Sequence, residues 1–417
     1  MRYSEVFIPG GIPTITYNPR PEHHLEDRIR EVRNNLCKLV VITGQTKAGK
    51  TVLVSKIFPQ DSSIWISGGG INSENDFWNF IVESLQLYTD VQEQIMRGKE
   101  SSLQVSASSE FGIPFIKAKP GFEANRITTS ETENSHSRSI SAKIIAIKAL
   151  EKFKIPIVID DFHYIPREIQ AKIVRAVKVP IMHGLPVILI AIPNRKYDSV
   201  KVEREMTGRI EHFDIPIWNV HELVSIAQRG FEYLKISISD CIIEEMATQA
   251  FGSPHLMQEF CKGICRKNGI EVSSTILKEI FVSQKQLNDL FTEIAAETGR
   301  PMFERLSRGP RSRTDRKERR LKNGTNTDIY GVVMQALQHI KPGISSINYE
   351  DLRTAMREIL DDTLPQINET TRVLEQITKI SYDDSASTPV VDWNKDDSTI
   401  NITDPFFAFY LRWAKNI

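Results

Sequence analysis

The sequence predicts an α/β protein in which helices cover both faces of a central parallel sheet. Three observations predict this fold class. Short apolar and β-branched runs recur within the first 218 residues, helical patterns separate several of them, and a glycine-rich segment follows the first run. Strands that alternate with helices form parallel sheets, because a crossover helix returns the chain to the same end of the sheet.

The glycine-rich segment carries the strongest chemical signal. It matches G-x-x-x-x-G-K-[ST] in full, with the residues Gly44, Gln45, Thr46, Lys47, Ala48, Gly49, Lys50 and Thr51. An apolar run precedes it at 39–43, and 52–56 can open a helix. The N–H groups of such a loop and of a helix N-terminus bind phosphate oxygens. We therefore expect a nucleotide site, with Lys50 at the β- and γ-phosphates and Thr51 as a ligand of Mg²⁺.

Further strands and helices are predicted between this loop and residue 218. The strands are 63–67, 155–160, 186–192 and 212–216, and the helices are 77–87, 139–153 and 168–177. A charged helix is expected from about 24 to 35. Residues 97–135 are rich in Ser, Gly, Lys and Glu, which predicts an inserted hairpin or loop.

The third predicted strand ends in two carboxylates, Asp160 and Asp161. Ligands of parallel sheets bind at the carboxyl ends of the strands, which is also where the glycine-rich loop begins. We therefore expect Asp160 to bind Mg²⁺ and Asp161 to orient or activate the attacking water. An aspartate reaches less far than a glutamate, which favours slow hydrolysis. The alternative is an ordinary strand that ends in a polar turn.

Polar and basic residues follow the later strands. Asn194, next to Arg195, comes after the apolar run 187–192 and is expected to face the γ-phosphate. Arg204 and Arg209 precede the last strand, where an arginine finger could reach a neighbouring subunit. Arg209 is the preferred candidate because it abuts the strand. An arginine at either position, taken alone, is more often a solvated surface charge.

The second half of the chain is predicted to be mostly helical. Helical spacing occurs at 221–234, 239–250, 255–267 and 275–296, and again at 328–340, 349–360 and 368–380. Two short strands, 390–393 and 399–402, then flank a turn, so this region has the element order of a winged helix. We expect an ATPase core at 1–218, a helical lid at 219–300, a basic linker at 301–327 and a winged-helix domain at 328–417.

The distribution of charged residues does not decide whether the protein binds nucleic acid. Residues 305–322 hold nine Lys or Arg against two acidic residues, which suggests non-specific contact with a DNA backbone. The alternative is a solvated linker whose arginines bind the protein's own acidic groups. The third helix and the turn of the C-terminal region carry several acidic residues, which argues against base-specific reading by a winged helix.

Composition sets wider limits. A chain of 417 residues is expected to form two or three domains. Its basic and acidic residues are equal in number, 53 each, so the net charge does not indicate which kind of partner the protein binds. We expect no membrane span and no secretory signal. There are four cysteines, Cys37, Cys241, Cys261 and Cys265. Only Cys261 and Cys265 are close, four residues apart on a predicted helix, and we expect buried structural thiols there instead of a metal pair, because no two further ligands lie nearby. A reducing cytoplasm fits this expectation.

Taken together, these motifs resemble the AAA+ and STAND branch of P-loop ATPases, most closely the prokaryotic relatives of Orc/Cdc6-type ATPases. Gly44–Thr51 resembles the Walker A motif, Ile157–Asp161 the Walker B motif, and Asn194 falls at the sensor 1 position. The segment 252–256 is similar to the G-x-P segment of STAND lids. The resemblance implies that its Pro254 approaches the nucleotide. His255 occupies the place where Orc-type proteins often carry a sensor 2 arginine. Residues 402–413 resemble the closing segment of winged-helix domains.

The resemblance implies ATP and Mg²⁺ as cofactors, a sheet ordered 5-1-4-3-2, a helical lid and a C-terminal winged helix. It also implies a switch that assembles with itself or acts on a partner effector protein, since members of this group act on DNA, in signalling or in phage defence. Two rival functions are open. One is an ATP-dependent DNA-binding initiator or loader, and the other is an adaptor that binds nucleotide without hydrolysing it.

Overall fold

The computed structural model describes residues 1–34, 37–87, 141–192, 208–311, 316–343, 346–382 and 389–414. The chain forms two compact units. The first contains Met1–His23, Gly44–Val52 and Ile215–Ile417, and the second contains His24–Thr43 and Leu53–Asp214. None of the helices in these ranges is long and apolar enough to span a membrane.

A five-stranded sheet with the neighbour order β2-β3-β4-β1-β5 forms the centre of the second unit. Its strands are β1 (Leu39–Gly44), β2 (Ile64–Ser67), β3 (Ile157–Asp160), β4 (Val187–Ile190) and β5 (Ile210–Ile215). The pairings β2–β3, β3–β4 and β4–β1 are parallel. Counted from the other edge the order is 5-1-4-3-2, so the predicted α/β fold class and sheet order are confirmed.

The strands form where they do because their side chains are buried on both faces of the sheet. Every residue of β1 and of β4 is buried, which explains their continuous apolar sequences. The helices of this part of the chain are α2 (Leu25–Arg30), α3 (Lys50–Ile57), α4 (Glu74–Ser84), α5 (Ala142–Phe153) and α6 (Arg167–Met182). The helix predicted at 24–35 is shorter than expected. The predicted insertion at 97–135 lies outside the described residues.

Helices dominate the first unit. They are α1 (Tyr3–Val6), α7 (Val220–Leu234), α8 (Asp240–Gln249), α9 (Pro254–Lys267) and α10 (Gln284–Thr298), with a short parallel ladder between β6 (Ile236–Ser237) and β7 (Lys278–Glu279). The helix predicted at 275–296 begins only at Gln284. Ser283 and Gln286 form a capping box there, which is a strong helix start signal.

The C-terminal part of the first unit has its own apolar cluster. Its elements are α11 (Arg300–Arg308), β8 (Arg319–Arg320), β9 (Asn326–Thr327), α12 (Ile329–Ile340), β10 (Ser346–Asn348), α13 (Tyr349–Ile359), α14 (Ile367–Tyr382), β11 (Val391–Asn394), β12 (Thr399–Ile402) and α15 (Pro405–Trp413). The three helices and the hairpin lie where they were predicted, and β10 joins the hairpin in a sheet ordered β10-β12-β11. Their assignment as a winged-helix domain stays a prediction, as do the bounds of the four predicted domains.

Candidate functional site

The loop between β1 and α3 has the backbone shape that its two glycines allow. Gly49 has a φ of +85°, which disfavours any other residue there. Gly44 is needed for a different reason, because a Cβ at that position would lie 2.9 Å from the Cβ of Ile215. The helix α3 begins at Lys50, so the N–H groups at its first turn face the loop. The loop therefore fits a phosphate group through its backbone.

Lys50 bends back over this loop. Its Nζ donates hydrogen bonds to the carbonyl oxygens of Gly44, at 2.8 Å, and Gln45, at 2.9 Å. The ammonium group is thereby kept beside the loop, where it can meet the charge of a bound phosphate. The phosphate-binding role expected for Lys50 stays a prediction.

Trp218 holds the loop from outside the motif. Its indole Nε1 donates a 2.9 Å hydrogen bond to the carbonyl oxygen of the buried Ala48. Trp218 is itself covered by Arg20, whose guanidinium carbon lies 4.7 Å from the ring centroid. Arg20 also donates to the carbonyl oxygens of Pro216 and Ile217, which anchors the segment that carries Trp218.

Arg20 is itself fixed by a buried carboxylate. Its Nε lies 2.8 Å from Glu222 Oε1, and the two side chains are only 3% and 8% exposed. Burial acts to raise the pKa of Glu222. The hydrogen bonds from Arg20 and from the Asn219 N–H, with the charges of Arg20 and His23, outweigh burial and leave the pKa lowered. A charged network thus supports the P-loop.

The segment 252–255 forms the start of α9. Ser253 caps this helix by accepting a hydrogen bond from the Leu256 N–H, and Pro254 stands in its first turn. Gly252 has a φ of +71°, and a Cβ there would collide with Ile217. His255 packs edge-on against Phe406, with ring centroids 5.0 Å apart. The roles of Pro254 and His255 at the nucleotide stay predictions.

The C-terminal segment reaches the same loop. Lys47 Nζ lies 3.5 Å from the centroid of the Phe406 ring. Gln45 Nε2 donates to the carbonyl oxygen of Thr403 at 3.4 Å. Two of the variable positions of the loop are therefore occupied by contacts with the start of α15. The sequence patterns did not single out Phe406 for this role.

The predicted carboxylate pair stands at the end of β3 in the second unit. Asp160 is the last residue of the strand, as expected. Asp161 is exposed, adopts a left-handed conformation with a φ of 52°, and donates its N–H to Asp160 Oδ1 at 2.9 Å. Gly68 is required nearby, because a Cβ there would collide with the Asp161 carbonyl. The strand therefore ends in a sharp turn, in which the Asp160 carboxylate accepts the N–H of Asp161. The catalytic roles of both aspartates stay predictions.

The predicted arginine and sensor residues are only partly described. The Arg209 backbone carbonyl accepts a hydrogen bond from Leu39 N–H, and its guanidinium contacts Met182 Sδ at 2.9 Å. Asn194, Arg195 and Arg204 lie outside the described residues. The catalytic roles assigned to Asn194 and Arg209 stay predictions.

The two cysteines that lie close together in the sequence are buried, as predicted. Cys261 and Cys265 are buried in α9, where burial raises the pKa of Cys265 to about 12 and also raises that of Cys261. Cys37 and Cys241 are exposed. Among the described residues, no three His, Cys, Asp or Glu side chains group as a metal site. The assignment of Thr51 and Asp160 as Mg²⁺ ligands stays a prediction.

The basic segment 305–322 makes several contacts with its own chain. Arg316 lies 2.5 Å from Asp328, donates to the carbonyl oxygens of Arg308 and Pro310, and covers the Tyr330 ring. Arg319 is buried and pairs with Glu369, and Lys322 donates to the Arg357 carbonyl. Arg308, Arg311 and Lys317 are exposed. Part of the positive charge therefore serves the structure of the C-terminal region.

No model of a known protein family matches the chain, and no curated protein sequence matches it. Its structure is similar to that of the Walker-type ATPase PABY2304 of Pyrococcus abyssi, with a TM-score of 0.53 and 15% identity over 95% of this chain and 99% of that chain. The fold is that of a P-loop ATPase.

Two weaker structural similarities are also found. Cdc6 from Pyrobaculum aerophilum matches with a TM-score of 0.43 and 11% identity over 98% of this chain and 96% of that one. A STAND protein with a tetratricopeptide repeat sensor from Pyrococcus horikoshii matches with a TM-score of 0.35 and 13% identity over 94% of this chain and 42% of that one. The expected P-loop ATPase fold is borne out by the similarity to PABY2304.

Proposed function

We propose that the protein is a cytoplasmic ATPase that hydrolyses ATP slowly and changes its conformation or its assembly with the bound nucleotide. The observation that carries this proposal is the position of the P-loop in the first unit. Ala48 contacts Trp218, at the start of the helical region, while Gln45 and Lys47 contact the C-terminal segment. A change in the loop is therefore passed directly to both regions.

Each site residue has a role in this proposal. The backbone of Gly44–Thr51 binds the phosphates, and Lys50 neutralises part of their charge. Thr51 and Asp160 hold Mg²⁺, which supplies further positive charge as the γ-phosphate leaves. Asp161 orients the attacking water. Asn194 contacts the γ-phosphate, and Arg209 completes the site of a neighbouring copy.

The output of the switch is proposed to be another protein. A second copy of this chain is the first candidate, and an effector protein, as in phage defence, is the second. Non-specific DNA binding through 305–322 is a further candidate, supported by the exposed side chains of Arg308, Arg311 and Lys317. The internal contacts of Arg316 and Arg319 reduce the charge that this segment can offer.

The experiment is ATP turnover with and without DNA, run beside a measurement of mass in ATP and in ADP. We expect slow turnover and a nucleotide-dependent change in mass or shape. Lys50→Ala should abolish ATP binding and the change, and Asp160→Asn should abolish turnover. Lys148→Ala, an exposed lysine of α5, is the matched control and should do neither.

Two outcomes would overturn the proposal. If Lys50→Ala binds ATP and assembles like wild type, the loop is not the switch. If wild type binds ATP tightly but no condition gives turnover, the protein is a nucleotide-stabilised adaptor. Intact turnover in Asp160→Asn would remove only the Mg²⁺ assignment.

A further inference from the structure

Three parts of the first unit meet on the ring of Phe406. Lys47 of the P-loop places its Nζ 3.5 Å from the ring centroid, and His255 at the start of α9 packs edge-on at 5.0 Å with an interplanar angle of 87°. Phe406 is only 5% exposed. The ring therefore joins the phosphate-binding loop to the starts of two helices.

The position of this ring is set by α15 and not by the loop. Asp404 caps the helix by accepting hydrogen bonds from the N–H groups of Phe406, at 2.8 Å, and Phe407, at 2.9 Å. Pro405 stands in the first turn, where its fixed φ favours a helix start. The preceding Thr403 accepts the hydrogen bond from Gln45. When α15 is packed against the P-loop, the face of the Phe406 ring is therefore held in front of the Lys47 ammonium group.

The Lys47 ammonium group has two alternative partners, the ring of Phe406 and a bound phosphate, and it cannot contact both at once. An ammonium group is attracted to the face of an aromatic ring. Phosphate oxygens are stronger partners for the same group, because both sides are charged and hydrogen bonds form. Lys47 lies within the loop whose backbone is shaped for phosphate, with a left-handed φ of 61°. Its side chain can therefore be drawn away from Phe406 when a phosphate binds.

We propose that phosphate binding at the P-loop and docking of the segment 403–413 compete for Lys47. The docked segment then lowers the affinity for ATP, and ATP weakens the docking by the same factor, because coupling between two sites is reciprocal. This inference rests on the proposed function and adds the means by which the nucleotide site is regulated.

The first test replaces the aromatic ring of Phe406 by an apolar side chain that has no π face. Phe406→Leu removes the π face from Lys47, and we expect ATP with Mg²⁺ to bind about three- to tenfold more tightly, as measured by calorimetry. The matched control is Phe77→Leu. Phe77 is a fully buried aromatic residue of the second unit and belongs to an apolar cluster that contains no residue of α15. Unchanged or weaker binding in a folded Phe406→Leu protein would overturn the proposal.

The second test asks whether the effect passes through Lys47. In a Lys47→Met background the ammonium group is gone, so Phe406→Leu should no longer alter ATP affinity, and the two changes should be non-additive. Additive effects would contradict the competition. Hydrogen exchange of peptides from 403–413 should also become faster when ATP is added to wild type. Exchange that is unchanged or slower in ATP would likewise contradict it.

Failure of this inference can be told apart from failure of the proposed function. If Lys50→Ala leaves ATP binding intact, the nucleotide site itself is wrongly assigned. If Lys50→Ala abolishes binding while Phe406→Leu leaves it unchanged, the site stands and the competition is disproved.

Discussion

Trp218 positions the backbone of the P-loop through a single hydrogen bond to Ala48. Trp218→Phe keeps the ring beneath Arg20 but removes the donor. A hydrogen bond of this kind contributes about 0.5–1.5 kcal/mol. We expect ATP affinity to fall about two- to tenfold, measured by calorimetry, because the Ala48 carbonyl is no longer held.

Trp65 provides a matched control for this prediction. Its Nε1 donates a 2.8 Å hydrogen bond to the Phe58 carbonyl oxygen in the second unit, so Trp65→Phe removes the same kind of bond from another place. Both variants should lose a similar free energy of unfolding, but only Trp218→Phe should lose ATP affinity. Equal loss of affinity in both would mean that Trp218 acts only on stability.

Glu222 makes the stability of the first unit depend on pH. Its pKa is lowered from the ordinary value of 4.5, so the unfolded chain takes up the proton first as the pH falls. The stabilisation is complete above 4.5 and is lost as the pH falls through the lower pKa of the folded protein. Wild type should therefore lose more free energy of unfolding than Glu222→Gln between neutral and acidic pH. Parallel curves for the two proteins would contradict this.

The sequence identified the phosphate-binding loop but did not identify Trp218, which holds the loop in place, and the reason is physical. Each fixed position of Gly44–Thr51 has a local requirement, which is a φ angle, a close approach or a charge. Trp218 lies 170 residues from Ala48, the loop residue that it contacts, and belongs to no local pattern. The one available signal for Trp218 is its place just after the last strand of the sheet, where ligand sites of α/β proteins occur.

At the scale of elements, burial and capping explain which predictions succeeded. The strand predicted at 186–192 corresponds to β4, whose residues are all buried, and the helix predicted at 221–234 to α7. The start of α10 was misplaced because the apolar residues near Ile276 look helical. Ile276 is 77% exposed, however, and the capping box lies at Ser283. Periodicity detected the helix, but the cap determined where it begins.

We expect Arg316, in the basic segment 305–322, to stabilise the C-terminal region. Arg316 ties the segment before β8 to Asp328, the residue that caps α12. Arg316→Ala should lower the free energy of unfolding by about 1–3 kcal/mol, since it leaves charged and carbonyl partners unsatisfied. Lys317→Ala, at the exposed neighbouring position, should have almost no effect. Chemical denaturation measures both.

A DNA-binding assay distinguishes the two proposed roles of residues 305–322, a contact with DNA and a structural role. If 305–322 is a DNA contact, Lys317→Ala should weaken DNA binding and reduce its salt dependence. If the segment is structural, Lys317→Ala should be silent in both assays. A fully stable Arg316→Ala protein that has lost DNA binding would contradict the structural role.

At the scale of the first unit, α15 belongs to two apolar clusters at once. Phe406, Phe409 and Tyr410 pack into the cluster of the helical region. Phe407, Ala408 and Leu411 pack into the cluster of the C-terminal region. Because one helix supplies side chains to both, displacing it exposes apolar surface in both. A competition between ATP and α15 would thus reach far beyond the loop.

This arrangement predicts that the two clusters are energetically coupled. Phe409→Ala should cost about 3–5 kcal/mol and Leu411→Ala about 2–5 kcal/mol. Each substitution should speed hydrogen exchange in peptides from both 256–265 and 332–337, although each side chain touches only one cluster. Ile66→Ala, in the core of the second unit, should leave both peptides unchanged. If Phe409→Ala affected only the first peptide and Leu411→Ala only the second, α15 would be two independent contacts, and its release could not act as one step of a switch.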